Sequence, residues 1–587
     1  MKKLTILSLL LAVGLSSCGK KDSAPGSNGL STKNSAVWGV TADPTNIIPF
    51  LAHDATAQYA YPLIWEPLNN VNPRTQELIA WIASLPEITP DHLTYTYTIN
   101  PKVVFNDGKP LTGEDVMFSF KCIMNPKQIE TTQTRSVVNS VDSITFVGGD
   151  KMKVAFHLRT PYFQMDRVLG GGYVPILPKH IFDPNNLTDK MTWKEIKSDN
   201  PTNPVFAEQA AAFSDPGKIR DPKMMVGSGP YLFNEWKTND HISFKKNPNF
   251  WAKDMPWGET YIDEITFKTI TDNSAMVTAL KAKDIDFIDL VPTPLFVQLD
   301  PAKQPYIKKD TVYYNSRTYL EWNNERPLFK SKKIRWAMSH LINRDQIVRD
   351  ILKGIARPNN GVINFTQPHY ANLPPIEYSP EKAKALLAEE GWADTDGDGV
   401  LDKVINGKKT PFHFTFSLYA GSDVVKQTAL VISEEMRKIG IKADVTTTEW
   451  SVWINNNRLH NYDAAIANIG GNATEDDPYE LWHSSQAKNK GQNVTGFVNA
   501  EVDAILTQNR IEFDFNKRDS LMKRFQQILY EEMPITPLVS TPVRLARLDR
   551  YDNVEFYRQR PCINVPFWVV KGSGITAKPD APSTFHP

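Results

Sequence analysis

The chain has 587 residues, 41% hydrophobic and 22% charged, with 66 lysines and arginines balanced by 66 aspartates and glutamates. That is enough material for several hydrophobic cores, and it has neither the low hydrophobicity of a disordered chain nor the long apolar runs of a membrane bundle. A net charge of zero with no Lys/Arg-dense block argues against a nucleic-acid partner, and 42 prolines and 30 glycines spread along the chain exclude a long coiled coil.

At the start, Lys2 and Lys3 precede an apolar run from Leu4 to Leu15, closed by Leu15-Ser16-Ser17-Cys18. The run is too short for the roughly 20 residues that span a bilayer, so 1–17 reads as a secretory signal peptide. Its end resembles a bacterial lipobox. That resemblance implies cleavage before Cys18 and acylation of the new terminus, and several acyl chains hold a protein firmly at a membrane. Residues 18–33 shift to Gly, Ser, Asn, Lys and Asp and read as a lipidated, flexible tether. Cleavage removes only two lysines, leaving 64 basic against 66 acidic residues. Beyond Cys18 only Cys122 and Cys562 remain, which an exported location allows to pair without requiring it. Without CxxC spacing, a zinc or iron–sulfur site is not expected.

Thr94 to Ile99 alternates β-formers, which places Tyr95, Tyr97 and Ile99 on the buried face of a strand. Asn106-Asp107-Gly108 supplies turn chemistry for a reversal. Ile334, Met338, Leu341, Ile342, Val348, Ile351 and Leu352 recur at helical spacing and predict one amphipathic helix ending near Gly354. Ser379-Pro380-Glu381 opens another helix with a capping serine and proline at the first position, ending at Gly391. Val425 to Ile439 repeats the pattern up to Gly440. Ile441–Thr448 and Tyr462–Ile469 then read as strands. Alternation of helix and strand in this half predicts an α/β fold.

Several blocks now stand in order. They are Trp65-Glu66-Pro67-Leu68; Val104 to Thr112 with Glu114-Asp115-Val116; Gly227-Ser228-Gly229-Pro230-Tyr231 with Asn247-Pro248-Asn249-Phe250-Trp251; Asn323 to Pro327 with Lys333 to Ala337; and Tyr378 to Ala383 through Gly391-Trp392. Together they resemble the peptide/nickel class of ABC-transporter solute-binding proteins, the dipeptide- and oligopeptide-binding family. The resemblance runs from about Asp43-Pro44 to the segment around Pro534. It implies an α/β, two-lobed periplasmic-binding-protein-like fold with a hinge and an additional β-rich inserted domain. The lobes are expected at 34–52 with 173–292 and 531–573 (first, discontinuous) and 293–530 (second), with the insert at 53–172. Asp183 to Met225 is expected to be a surface excursion.

Peptide-binding members of that family hold the ligand ammonium with an aspartate a few residues before an acidic-Pro turn, beside an aromatic platform. The matching segment is Asn468 to Pro478, where counting back from Pro478 puts Thr474 in the aspartate slot and Gly471 in the tryptophan slot. Glu475 and Asp476 are the carboxylates near enough to take over the ammonium, since a buried cation needs a paired acid. The alternatives are a ligand without a free amino group, or acids that serve only to cap the helix entered at Pro478. Asn468 and Asn472 suit ligand or turn roles. Trp450 and Trp453, and Tyr319, Glu321 and Trp322, fall toward the cleft in the family fold, where the aromatics suit either a ligand sandwich or a core.

Asp394, Asp396, Asp398 and Asp402 resemble the first half of a calcium loop, but position twelve is Ile405. A structural calcium and a plain Asp/Gly loop are both open, and no cofactor is required. The chain has no HExxH, GxSxG or GxxxxGK[ST] pattern, so an enzyme is not expected. The functional expectation is an exported, lipid-anchored, monomeric receptor, facing the periplasm or exterior, that delivers a small ligand to an ABC permease. Peptides lead; an oligosaccharide, a metal complex or a signalling role is the alternative, and a glycan-acting secreted enzyme the distant one.

Overall fold

The computed structural model describes residues 30–577 except 53, 199, 256, 472–474, 489 and 490. The signal peptide, Cys18 and most of the tether lie outside the described residues, as do Asn472 and Thr474. No helix among the described residues is long and apolar enough to cross a membrane.

Two large mixed sheets organise the chain. The first has seven strands in the order Ile307–Val312, Val543–Leu548, Phe287–Ile288, Ser35–Val40, Glu264–Thr269, His241–Lys246 and Tyr231–Lys237. The second has six, in the order Arg357–Pro358, Ile535–Ser540, Ser316–Trp322, Ala464–Gly470, His413–Tyr419 and Lys442–Thr448. Each joins parallel and antiparallel pairs, and both faces of the second are buried under helices, as strands with apolar residues on both faces require. A four-stranded antiparallel sheet built from Glu87–Ile88, Thr94–Thr98, Lys153–Leu158 and Val141–Phe146 forms the β-rich insert. The fold is therefore α/β and two-lobed. The chain crosses between the large sheets twice, at 313–315 and at 541–542.

Local chemistry explains the recognised blocks. Glu66 is fully buried and accepts hydrogen bonds from Trp81 Nε1 (2.8 Å) and Trp251 Nε1 (3.0 Å). Burial pushes its carboxyl up to about 7, against those hydrogen bonds. Gly227 and Gly229 run so close to Ile64 that a Cβ on either would lie 2.1 or 2.5 Å from a backbone carbonyl of Ile64 or Leu63. Three sequence-distant motifs thus meet at one packing point.

Tyr95, Tyr97 and Ile99 are buried as the alternation predicts, and Gly108 turns the chain with φ +86°. Ser379 caps the helix Pro380–Glu389, and Ser422 caps Asp423–Arg437. Two expectations are corrected. The single helix over 334–352 is broken: Lys332–His340 ends at Leu341, and Asn343 caps a new start by accepting from Gln346 N at 2.9 Å. A side chain that satisfies the backbone this way competes with helix continuation, and the buried Arg344 guanidinium fixes the break by donating to Pro537 O at 2.7 Å. Nor is 183–225 a surface excursion, because Leu187, Met191, Phe206, Phe213 and Met225 belong to the first core. Cys122 and Cys562 are free, buried thiols, so the permitted disulfide is not formed.

Candidate functional site

Strands Ser316–Trp322 and Ala464–Gly470 pair antiparallel, with Ser316 opposite Gly470 and Tyr319 opposite Ala467. The period of two puts Arg317, Tyr319 and Glu321 on one face and Thr318, Leu320 and Trp322 on the other. Trp322 is fully buried in the core on that second face, donating to Thr536 Oγ1 at 3.0 Å. It is removed from the ligand set for that reason.

The loop after Gly470 carries three consecutive acids, and all three are engaged. Asp476 faces Arg317 Nη1 at 3.3 Å and accepts from Asn315 Nδ2 at 2.6 Å. Burial raises its carboxyl above the ordinary value despite Arg317. Glu475 meets His369 Nε2 at 2.5 Å and the Arg518 guanidinium at 2.8 and 3.0 Å; burial pushes it up, but those partners outweigh burial and hold it low. Asp477 accepts from Arg510 Nε at 2.8 Å and from Tyr162 OH at 3.1 Å. Neither Glu475 nor Asp476 stands free for a ligand ammonium. Gly471 has no room for the aromatic side chain of its slot, because its Cβ would sit 2.4 Å from Asn315 Nδ2 and 2.9 Å from Asp476 Oδ1.

These acids tie the loop to the insert. Besides Tyr162, Gln164 Nε2 donates to Glu475 O, and Phe163 N donates to Arg510 O at 3.0 Å. On either side of the Gln164–Glu475 contact lies a cavity open to solvent. One, of about 1,100 Å³, is lined by Tyr162, Tyr173, Arg317, Asn468 to Gly471, Asp476, Asp477 and Arg510. The other, of about 870 Å³, is lined by Arg74, Asp166, Arg167, Phe365 to Pro368, Arg518 and Tyr557-Arg558. Arg74 and Arg518 are paired with Glu555 and Glu475.

A third pocket, of about 200 Å³, lies against the Tyr319 face and shares Asn468, Ile469, Leu481 and Gln492 with the 1,100 Å³ cavity. Trp450 and Trp453 stack at 5.2 Å on its wall, with Tyr419 edge-on to both. Trp453 is buried, donating to Ser417 O at 2.9 Å, while Trp450 is exposed. The structure thus gathers Tyr319, Trp450, Trp453 and Asn468 around one pocket and places Glu475 and Asp476 in the adjoining cavities. The sequence reading missed Asn315, Arg317, His369, Arg510 and Arg518. Counting back two residues from Tyr319 finds Arg317; the others lie in loops or on helices whose placement no local pattern encodes.

Asp394, Asp396 and Asp398 bring carboxylate oxygens within 4.8 Å of one another on the surface. Asp402 is not with them: it accepts from Thr395 N and Oγ1 and faces Lys409 at 3.2 Å, while Lys409 also pairs with Asp396 at 2.6 Å. Asp394 caps the turn by accepting from Gly397 N and Gly399 N.

The chain resembles known proteins over nearly its whole length. The chain is 29% identical to the oligopeptide-binding protein AppA of Bacillus subtilis over 582 residues, covering 96% of this chain and 98% of that protein. It is 25% identical to the oligopeptide-binding protein OppA of Bacillus subtilis, over 91% of this chain and 92% of the relative. The structure of AppA in complex with a nonapeptide superposes with a TM-score of 0.70 at 26% identity, over 91% of this chain and 98% of that one. NikA of Brucella suis, in complex with Fe(III)-EDTA, shares the fold with a TM-score of 0.73 at 20% identity, over 92% of this chain and 100% of that one. The model of the bacterial extracellular solute-binding proteins, family 5, matches residues 77–492, and the chain belongs to that family.

Proposed function

We propose that this solute-binding protein captures peptides in the cleft between the insert, the segments 468–471 and 475–478 and the segment 365–368, and hands them to an ABC permease. The observation that carries the reading is the size and charge of the cleft. Two open cavities of about 1,100 and 870 Å³ meet at the Gln164–Glu475 contact, whereas a compact small-molecule site takes roughly 300–1,000 Å³ in all. Acids and arginines lie along both cavities, which suits an extended zwitterionic chain. The relatives named as oligopeptide-binding proteins support it. In this reading the crossings at 313–315 and 541–542 are the hinge, which revises the expected lobe bounds of 293–530 and 531–573: 307–312 moves with 543–548 in the first lobe, and 535–540 with the second. Residues 1–17 serve as signal peptide and Cys18 as lipid anchor of a monomeric receptor.

A second reading, a solute without a free amino terminus, is favoured by one observation: Glu475 and Asp476 already have partners. A thermal-shift titration of ligand-free protein against a free-amino peptide pool and an amino-acetylated pool tests both. Ligand at about 100 times its dissociation constant stabilises by roughly 2.7 kcal/mol. A shift with the free-amino pool supports the peptide reading, a shift with the acetylated pool alone supports the second, and no shift with either overturns the peptide reading.

A further inference from the structure

Glu321 is a carboxylic acid in the wrong place for a structural role. It lies at the centre of the second sheet with 4% of its surface exposed, and its Oε2 has no donor among the described residues. Asn457, 1% exposed, likewise leaves Oδ1 without a donor there. Both residues line the 200 Å³ pocket whose wall is the Trp450–Trp453 stack. An unpaired buried acceptor costs free energy that a hydrophobic residue of the same shape would avoid. Two such groups line one aromatic-walled pocket that shares Asn468 and Gln492 with the cleft, and both are open to a donor supplied from outside.

We infer that this pocket receives a cationic group of the ligand, an ammonium or guanidinium, with Glu321 and Asn457 accepting its hydrogen bonds and the indole faces of Trp450 and Trp453 covering its stem. Building on the peptide reading, that group is a lysine or arginine side chain. The volume fits part of a ligand rather than a whole one, being below the roughly 300 Å³ at which complete small-molecule sites begin. Indole faces attract cations through the ring quadrupole, most strongly when water is excluded. The charged and titratable groups facing Glu321 are Tyr319 on its own strand and Tyr462 on the neighbouring segment, with Arg317 and Glu325 beyond them. Tyr419 and Arg458 complete the charged and titratable groups of the pocket lining. Tyr462 donates to Val494 O, Arg317 is paired with Asp476, and Arg458 is solvent-exposed, where salt screens its charge. Burial pushes the Glu321 carboxyl up to about 8, so it holds its proton in the empty pocket at neutral pH. A bound cation favours the carboxylate and expels that proton to the buffer.

The test is calorimetric titration with an alanine-based pentapeptide series in which lysine or norleucine, its apolar isostere, is scanned through each position. Each titration is run at pH 7 in two buffers of different ionisation enthalpy. At one position lysine is expected to bind roughly ten- to hundred-fold more tightly than norleucine, the range of a charge-assisted hydrogen bond, with release of up to one proton. Glu321→Gln is expected to bring the lysine-to-norleucine ratio near one and abolish the proton release. Trp450→Ala, which removes the exposed half of the indole stack, is expected to lower the ratio. Norleucine equal to or better than lysine at every position, or a lysine preference that survives Glu321→Gln, overturns the inference. If no pentapeptide binds, the peptide reading fails, and the pocket is then judged with agmatine alone. Binding with proton release that Glu321→Gln removes supports a cation pocket, and no binding at millimolar agmatine overturns it.

Discussion

Replacing Glu321 by glutamine keeps the shape of the side chain and removes its ionisation, so the difference in stability between the two proteins isolates one proton. The carboxyl ionises near its ordinary 4.5 in the unfolded chain and near 8 in the folded protein. Between those values the folded state holds a proton that the unfolded state has lost, so stability falls as pH rises. The slope is about 1.4 kcal/mol per pH unit, for a total near 5 kcal/mol across the window. Below pH 4.5 both states are protonated, and above 8 both are ionised, so the difference is flat outside it. Urea unfolding of wild type and Glu321→Gln in parallel at pH 5, 6, 7 and 8, followed by tryptophan emission and circular dichroism, measures it; subtracting one curve from the other cancels every other titrating group. The glutamine variant is expected to gain on wild type steadily from pH 5 to 8. A flat difference, or a wild type that gains with rising pH, would show that the carboxyl is already ionised and paired, and would refute the reasoning about the pocket.

Gly471→Ala places a methyl 2.4 Å from Asn315 Nδ2 and breaks the Asn315–Asp476 contact; peptide affinity measured by calorimetry is expected to fall by roughly ten-fold or more, and wild-type affinity would contradict that. Arg510→Ala removes the partner of Asp477 and Glu480 across from Tyr162; small-angle scattering is expected to show a larger radius of gyration for the ligand-free variant, and an unchanged radius would count against the loop–insert tie. For His369, burial lowers the imidazole but Glu475 and Asp519 outweigh it and raise it above 6.5. Its protonated form therefore adds stability that is complete below pH 6.5 and lost as pH rises through the higher folded value. The stability gap between wild type and His369→Asn should shrink over that range, and a widening gap would reverse the assignment. Arg335→Met strips donors from the carbonyls of Phe329, Lys330, Glu532 and Met533 and is expected to cost about 3 kcal/mol or more in chemical denaturation.

The sequence makes the fold legible where one residue type does one physical job. Ser379-Pro380 and Gly391 mark a helix because capping, a fixed φ and a left-handed turn each have few solutions. The alternation of Tyr95, Tyr97 and Ile99 marks a strand because one face must be buried. The helix predicted through Leu352 fails because apolar spacing continues across Asn343, whose side chain terminates one helix and starts another. The site is legible only in part. Trp450, Trp453 and Tyr319 line one pocket, but Trp322, three residues along the same strand, points into the opposite core. The partners of Glu475, namely His369 and Arg518, lie 106 and 43 residues away, a pairing that only the tertiary fold creates. The ammonium-binding expectation for Glu475 and Asp476 likewise assumed free acids, and sequence carries no record of which carboxylates are already paired.

Hydrogen exchange of the ligand-free protein, with and without a saturating pool of mixed free peptides, tests the central claim most directly, because it reports both binding and place. The account predicts slowed exchange at 162–164, 365–368 and 468–471, on the opposite walls of the cleft, together with the crossings at 313–315 and 541–542. Protection confined to other surfaces, or none at peptide concentrations that saturate the thermal shift, would contradict it.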